Sequence, residues 1–77
     1  MLNNSEYDGA SIIDEPSDTL TYIGYAADGN PAETEEKWAI KRIEKLTNVT
    51  RIMWVNGIID RSFVWNDRAS YTYKFRI

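Results

Sequence analysis

The segment TRIMWVNG, residues 50–57, decides the fold class of this chain. Its first six residues alternate between two sets of side chains, which is the period of a β-strand. One face would carry Arg51, Met53 and Val55, and the other would carry Thr50, Ile52 and Trp54. Asn56 and Gly57 follow, and these two residue types best tolerate the positive φ that both central positions of a type I′ turn require. The segment therefore predicts a strand that ends where the chain reverses direction.

Two other segments, one before and one after residues 50–57, also have strand character. Residues 20–27 are rich in β-branched and aromatic residues, and Gly24 permits a bulge or a close backbone approach. Four turn-forming residues follow at 28–31. Near the end of the chain Tyr71, Tyr73 and Phe75 alternate with polar and cationic residues, which predicts a strand whose aromatic side closes the core or an interface.

Residues 37–46 fit two structures. Ile40, Ile43 and Leu46 recur at helical spacing, and Thr34 is a suitable N-cap. On the other hand, Trp38 and Ile40 alternate with their neighbours as on a strand, and residues 50–55 resemble a hairpin partner. We expect the strand. Residues 63–65 form an apolar group between polar residues, which predicts a short helical turn or a compact loop.

These elements predict a mainly β protein. We expect a small antiparallel sheet or barrel-like domain of about four strands at residues 20–77, preceded by an acidic extended arm at residues 1–19. The arm is too polar to offset its own ordering entropy. It is either a solvated terminus or a segment that lies along a neighbouring subunit, anchored by Tyr7, Ile12 and Ile13.

The charges of the chain are strongly segregated. Residues 1–36 contain nine Asp and Glu and no Lys or Arg, which gives −9. Residues 37–77 contain nine Lys and Arg and three acidic residues, which gives +6 and the total of −3. Such asymmetry concerns association rather than fold. It predicts a chain that packs against copies of itself or against a fixed neighbour.

The chain has 77 residues and neither Cys nor His. A domain of this size buries only about 60% of the surface of its unfolded chain, and disulfides or metals often stabilise such domains. Oligomerisation is the remaining means of stabilisation.

Without His or Cys the commonest catalytic base and the best thiol nucleophile are missing, so we expect no enzyme, no cofactor and no metal. No apolar run approaches the about 18 residues of a membrane span, and we expect a soluble protein.

Four blocks carry a family resemblance: YIGYA (22–26), WAIKRI (38–43), WVNG (54–57) and FVWNDRASY (63–71). In this order they resemble small proteins encoded by tailed bacteriophages, often among the structural genes. The resemblance covers residues 20–73 and leaves the arm outside. The resemblance implies that the protein is part of a virion, or of its assembly, and that the virion is assembled in the host cytoplasm. It supplies no catalytic residues.

We therefore expect a non-enzymatic virion structural protein. It would be a capsid decoration or cement protein, or a minor neck, tail or fibre-attachment component, and it would contact other virion proteins or copies of itself. The alternatives are a nucleic-acid-binding module that uses the basic, aromatic C-terminal half and a regulator that binds one host protein. The expected interface residues are Tyr7, Ile12, Ile13, Trp38, Arg42, Trp54, Arg61, Trp65, Arg68, Tyr71, Tyr73 and Arg76.

Overall fold

The computed structural model describes residues 9–77 of the chain, and these residues form a mainly β domain with one short 3₁₀ helix. The mainly β prediction is confirmed, with six strands in place of about four. In chain order the elements are β1 (Ile12–Ser17), β2 (Leu20–Ala26), β3 (Glu36–Lys45), β4 (Thr50–Val55), β5 (Phe63–Val64), the 3₁₀ helix (Trp65–Ser70) and β6 (Tyr73–Lys74).

The strands form one antiparallel sheet in the order β1-β2-β3-β4-β6. β3 is the longest strand, and two strands share one of its edges: β4 pairs with its second half, and β5 pairs with Glu36 and Trp38 at its beginning. In the described residues β1 and β6 do not pair with each other. The barrel-like alternative is therefore not confirmed.

The segment predicted as an arm contains β1, which belongs to the same sheet. Ile12 pairs with Gly24, Ile13 with Ile23, and Asp14 with Tyr22. The sheet therefore begins at Ile12 and not at Leu20. Sequence periodicity did not indicate this strand, because a strand at the edge of a sheet tolerates charge and proline that would exclude it from the centre.

β3 confirms the strand prediction for residues 37–46. It pairs with β2 from Trp38 to Glu44 and with β4 from Lys41 to Lys45. Ladder bonds and packing on both sides of β3 outweigh the helical spacing of its apolar residues, because secondary-structure propensity is weak relative to tertiary context. Trp38 and Ile40 are both buried on one face, as the alternation predicted.

The main core lies on one face of the sheet, where the 3₁₀ helix crosses it. Its buried residues are Tyr22, Trp38, Ile40, Met53, Val55, Trp65 and Tyr73. Trp65 begins the 3₁₀ helix and lies directly over Gly24, where a Cβ would be 2.7 Å from its Cε3 atom. The close backbone approach predicted at Gly24 is thus confirmed, and the group at residues 63–65 provides the helical turn.

The C-terminal segment forms less strand than its alternation predicted. Only Tyr73–Lys74 is a strand, and Phe75 is 63% exposed, so of the two roles predicted for the aromatic side Phe75 does not fill that of closing the core. Asn56 and Gly57 have φ values of 54° and 76°, as predicted for the turn. The N–H of Ile77 donates to the Gly57 carbonyl at 3.0 Å. The last residues therefore leave β4 and lie along this turn.

Candidate interaction surface

Burial divides the expected interface residues into two groups. Trp38, Trp65 and Tyr73 are buried in the core of the single chain, and Ile12 and Tyr71 are half-buried against it. Their side chains are occupied by contacts within the chain. Sequence could not separate the two groups, because a large aromatic residue suits a core and an interface equally. Tyr7 lies outside the described residues.

Arg68 makes its contacts within the chain. Its Nε donates to Oδ2 of Asp14 at 3.0 Å, and its Nη1 donates to the Trp65 carbonyl at 3.1 Å. The guanidinium lies 4.5 Å from the centre of the Trp65 ring. Arg68 thus fixes the 3₁₀ helix against β1, and the acidic and basic halves of the chain meet here inside one molecule.

Arg42 lies on the same face, with its guanidinium 4.7 Å from the centre of the Tyr73 ring. Its Nε is buried and has no hydrogen-bond partner among the described atoms. Tyr73 donates its hydroxyl hydrogen to the Arg68 carbonyl at 2.8 Å. Burial, and secondarily the neighbouring Tyr22, raises the pKa of the Tyr73 phenol far above its ordinary value. This face is therefore an internal layer in which Tyr73 stays neutral.

The opposite face of the sheet carries a second packed group. Ile23, Ala39 and Ile43 are buried there. The Nζ of Lys41 lies 5.5 Å from both the Tyr25 and the Trp54 ring centres. Trp54 therefore packs on its own sheet neighbours and is half-buried.

The remaining expected residues are exposed. Arg61 donates from Nε to the Ala26 carbonyl at 3.2 Å, and Arg76 extends into solvent near the C-terminus. Ile13 is 39% exposed on β1. The structure thus places these three residues on the surface without bringing them together.

Exposed apolar side chains concentrate around β4, which the sequence analysis did not anticipate. Among the described residues, five of the eight large apolar side chains that are exposed belong to β4 or to the segments at its two ends, and two more belong to the C-terminal segment that bonds to Gly57. They are Leu46, Val49, Ile52, Ile58, Ile59, Phe75 and Ile77, and the eighth is Ile13. Isolated exposed apolar residues need no explanation, but a group on one side of a small domain is typical of an interaction site.

The backbone at the start of β4 adds a second feature, which we name the β4 edge: the N–H and C=O groups of Thr50 and Ile52. The Val49 carbonyl accepts from Leu46 across the β3–β4 turn, and Asn56 donates to Thr72 on the β6 side. Backbone groups of successive strand residues alternate in direction, so Thr50 and Ile52 point away from β3. β6 covers only Trp54 and Val55. Within residues 9–77 no strand pairs with the β4 edge.

The edge at β1 is different in kind. Asp14, Glu15 and Pro16 lie in the strand, and the register is irregular between Asp14 and Ser17. Charge, proline and bulges are the features by which natural sheets prevent further strands from adding to an edge. Residues 50–53 contain one charged residue, Arg51, but neither proline nor an irregularity. The two sides of the sheet therefore differ in their capacity to accept a strand.

Residues 9–77 contain no group of three or more His, Cys, Asp and Glu side chains that could hold a metal ion. None of their helices is long and apolar enough to span a bilayer. Neither a family model, nor a curated protein, nor a solved structure matches the chain.

Proposed function

We propose that this protein is a non-enzymatic structural protein that acts through subunit–subunit contacts made at the β4 side of its sheet. The observation that supports this proposal is the coincidence of exposed Leu46, Val49 and Ile52 with the unpaired β4 edge. Apolar contact area and open main-chain hydrogen-bonding groups are both means of joining another chain.

The location that we propose is the virion of a tailed bacteriophage. This part rests on the resemblance of residues 20–73 to small phage proteins. The specific role would be capsid decoration or cementing, or a minor place in the neck, tail or fibre attachment. Many identical copies would turn modest individual contacts into a stable assembly.

The contacts would be passive and mechanical. The core under the 3₁₀ helix and the Asp14–Arg68 ion pair hold the sheet together, and the β4 side presents the contact area. Nucleic-acid binding fits the structure less well, because Trp38, Trp65 and Tyr73 are buried in the core. Side chains in that position cannot serve as stacking platforms for bases.

The test is quantitative mass spectrometry of purified virions, combined with a pair of matched variants. Ile52 and Ile13 are 40% and 39% exposed and lie on the same face of the sheet, near opposite edges. We expect Ile52→Lys to reduce the copy number in particles at least tenfold and Ile13→Lys to leave it within twofold. Absence of the unaltered protein from particles, or equal effects of the two variants, would refute the proposal.

A further inference from the structure

We propose that the β4 edge binds an extended, acidic protein segment as an additional strand of the sheet. This inference rests on the proposed function and names the chemistry of the partner.

The backbone offers the hydrogen-bonding pattern of a strand. Thr50 and Ile52 each direct one N–H and one C=O away from β3, so the β4 edge presents two donors and two acceptors in alternation. An extended peptide matches this pattern at strand spacing. A DNA backbone brings phosphate acceptors but no donors for the two carbonyl oxygens, so it satisfies half of the pattern at most.

The side chains next to this backbone favour a peptide with apolar residues at alternate positions. Ile52 is exposed on one face of β4, and Val49 and Leu46 are exposed at the adjoining turn. Met53 is buried on the other face. A strand added beside residues 50–53 would cover Ile52 with every second side chain, which is how strand addition obtains specificity.

The charges around the β4 edge are predominantly positive. Arg51 lies on β4, Lys74 on the neighbouring β6, and Arg76 follows it. Glu44 lies 3.6 Å from Arg51 and offsets its charge, so the excess positive charge comes from Lys74 and Arg76. Two of the four acidic residues in the described strands, Asp14 and Glu15, lie on β1 at the opposite side of the sheet, and the other two, Glu36 and Glu44, lie on β3. Charge complementarity therefore selects an acidic strand.

A second copy of the same edge fits less well. Two β4 edges related by a two-fold axis would bring together two Arg51–Glu44 pairs, so this arrangement adds no complementary charge. In addition, β6 already covers Trp54 and Val55, which leaves a symmetric pair very short. The β1 strand of another copy is acidic, but Pro16 and its irregular register oppose pairing.

The experiment is an NMR titration of the ¹⁵N-labelled full chain with three probes. The first is an end-blocked ten-residue peptide of alternating valine and glutamate, the second has lysine in place of glutamate, and the third is a ten-nucleotide oligothymidylate. We expect the glutamate peptide to bind at least tenfold more tightly than the other two. Its largest shifts should occur at residues 50–53, and hydrogen exchange at the Ile52 amide should slow at least tenfold.

A proline variant separates the main chain from the side chain. Ile52→Pro removes an N–H that points away from β3, so the β3–β4 ladder keeps its bonds, whereas the matched control Ile52→Val keeps that N–H. We expect Ile52→Pro to weaken binding of the glutamate peptide at least tenfold and Ile52→Val to change it less than twofold. Should Ile52→Pro not fold, Thr50→Pro, at the first residue of β4, gives the same test.

Three results would overturn the inference: equal binding of both peptides, tighter binding of the oligonucleotide, or shifts centred away from residues 50–53. If any of these occurs while the protein is still found in virions, the acidic-strand inference fails alone. Absence from virions would instead remove the proposed function, whatever the titration shows.

Discussion

Replacement of Gly24 by alanine tests the packing that holds the 3₁₀ helix on the sheet. A Cβ at this position would lie 2.7 Å from Cγ2 of Ile12, 2.7 Å from Cε3 of Trp65 and 2.8 Å from its Cζ3, whereas ordinary contacts are 3.4–4 Å. The Trp65 ring has little room to move, because it is 1% exposed and lies between Trp38 and the Arg68 guanidinium.

The expected cost follows from this overlap. Overpacking a core costs about 1 to 3 kcal/mol, against which alanine regains about 0.5 to 1 kcal/mol of strand propensity over glycine. We therefore expect Gly24→Ala to lower the free energy of unfolding by about 1 to 2 kcal/mol, out of about 4 to 12 kcal/mol for a chain of this length. Each kcal/mol corresponds to about 4 to 8 °C in Tm for a domain of this size.

A double-mutant cycle identifies Trp65 as the cause. Trp65→Leu removes the ring atoms that the new Cβ would meet and leaves only the contact with Ile12 Cγ2, so Gly24→Ala should cost at least about 0.5 kcal/mol less in that background. Urea unfolding followed by far-UV circular dichroism measures all four proteins. The reasoning is refuted if Gly24→Ala costs less than about 0.5 kcal/mol, or if the two changes add within about 0.5 kcal/mol, as independent sites do.

Two further predictions concern the polar contacts. Burial raises the pKa of the Tyr73 phenol above its ordinary 10.0, so above that pH the unfolded state binds fewer protons than the folded state and stability falls as pH rises. In urea unfolding between pH 10 and 11, the wild type should lose about 1 kcal/mol more than Tyr73→Phe, because the slope reaches its limit of about 1.4 kcal/mol per pH unit only above the unfolded-state pKa, and equal slopes would contradict the assignment. Alanine cycles at Asp14–Arg68, whose side chains are 35% and 25% exposed, should give a coupling of about 1 kcal/mol. The more exposed Glu35–Lys37 pair is the control and should give less than about 0.5 kcal/mol; equal couplings would count against a structural role for Arg68.

The sequence predicted the centre of the sheet well, because its signals are local. The alternation in residues 50–55 and the turn at Asn56 and Gly57 follow from neighbouring residues. Residues 37–46 fitted a helix as well as a strand, and pairing on both sides makes them β3. The close approach at Gly24 is also a local signal, although its partner Trp65 is 41 positions away in the sequence. β1 was not found, since a strand at the edge of a sheet keeps few apolar residues.

The candidate site was largely beyond sequence reasoning. Composition predicted the Trp, Tyr and Arg residues as interface residues. It could not show that Trp65 and Tyr73 are buried in the core or that Arg68 pairs with Asp14 of its own chain. The β4 edge depends on the length of β6, which ends after two residues because Ile77 bonds to Gly57. No pattern within residues 50–53 carries that information.

Pro16 has a consequence for the size of any assembly. It lacks an amide hydrogen, and the acidic side chains beside it would repel another acidic segment. Addition of further strands to the sheet is therefore obstructed at β1 and open at the β4 edge. An open-ended fibril needs two sheet edges on every subunit that can each pair with another strand. This molecule is therefore suited to finite complexes whose size is set by the partner.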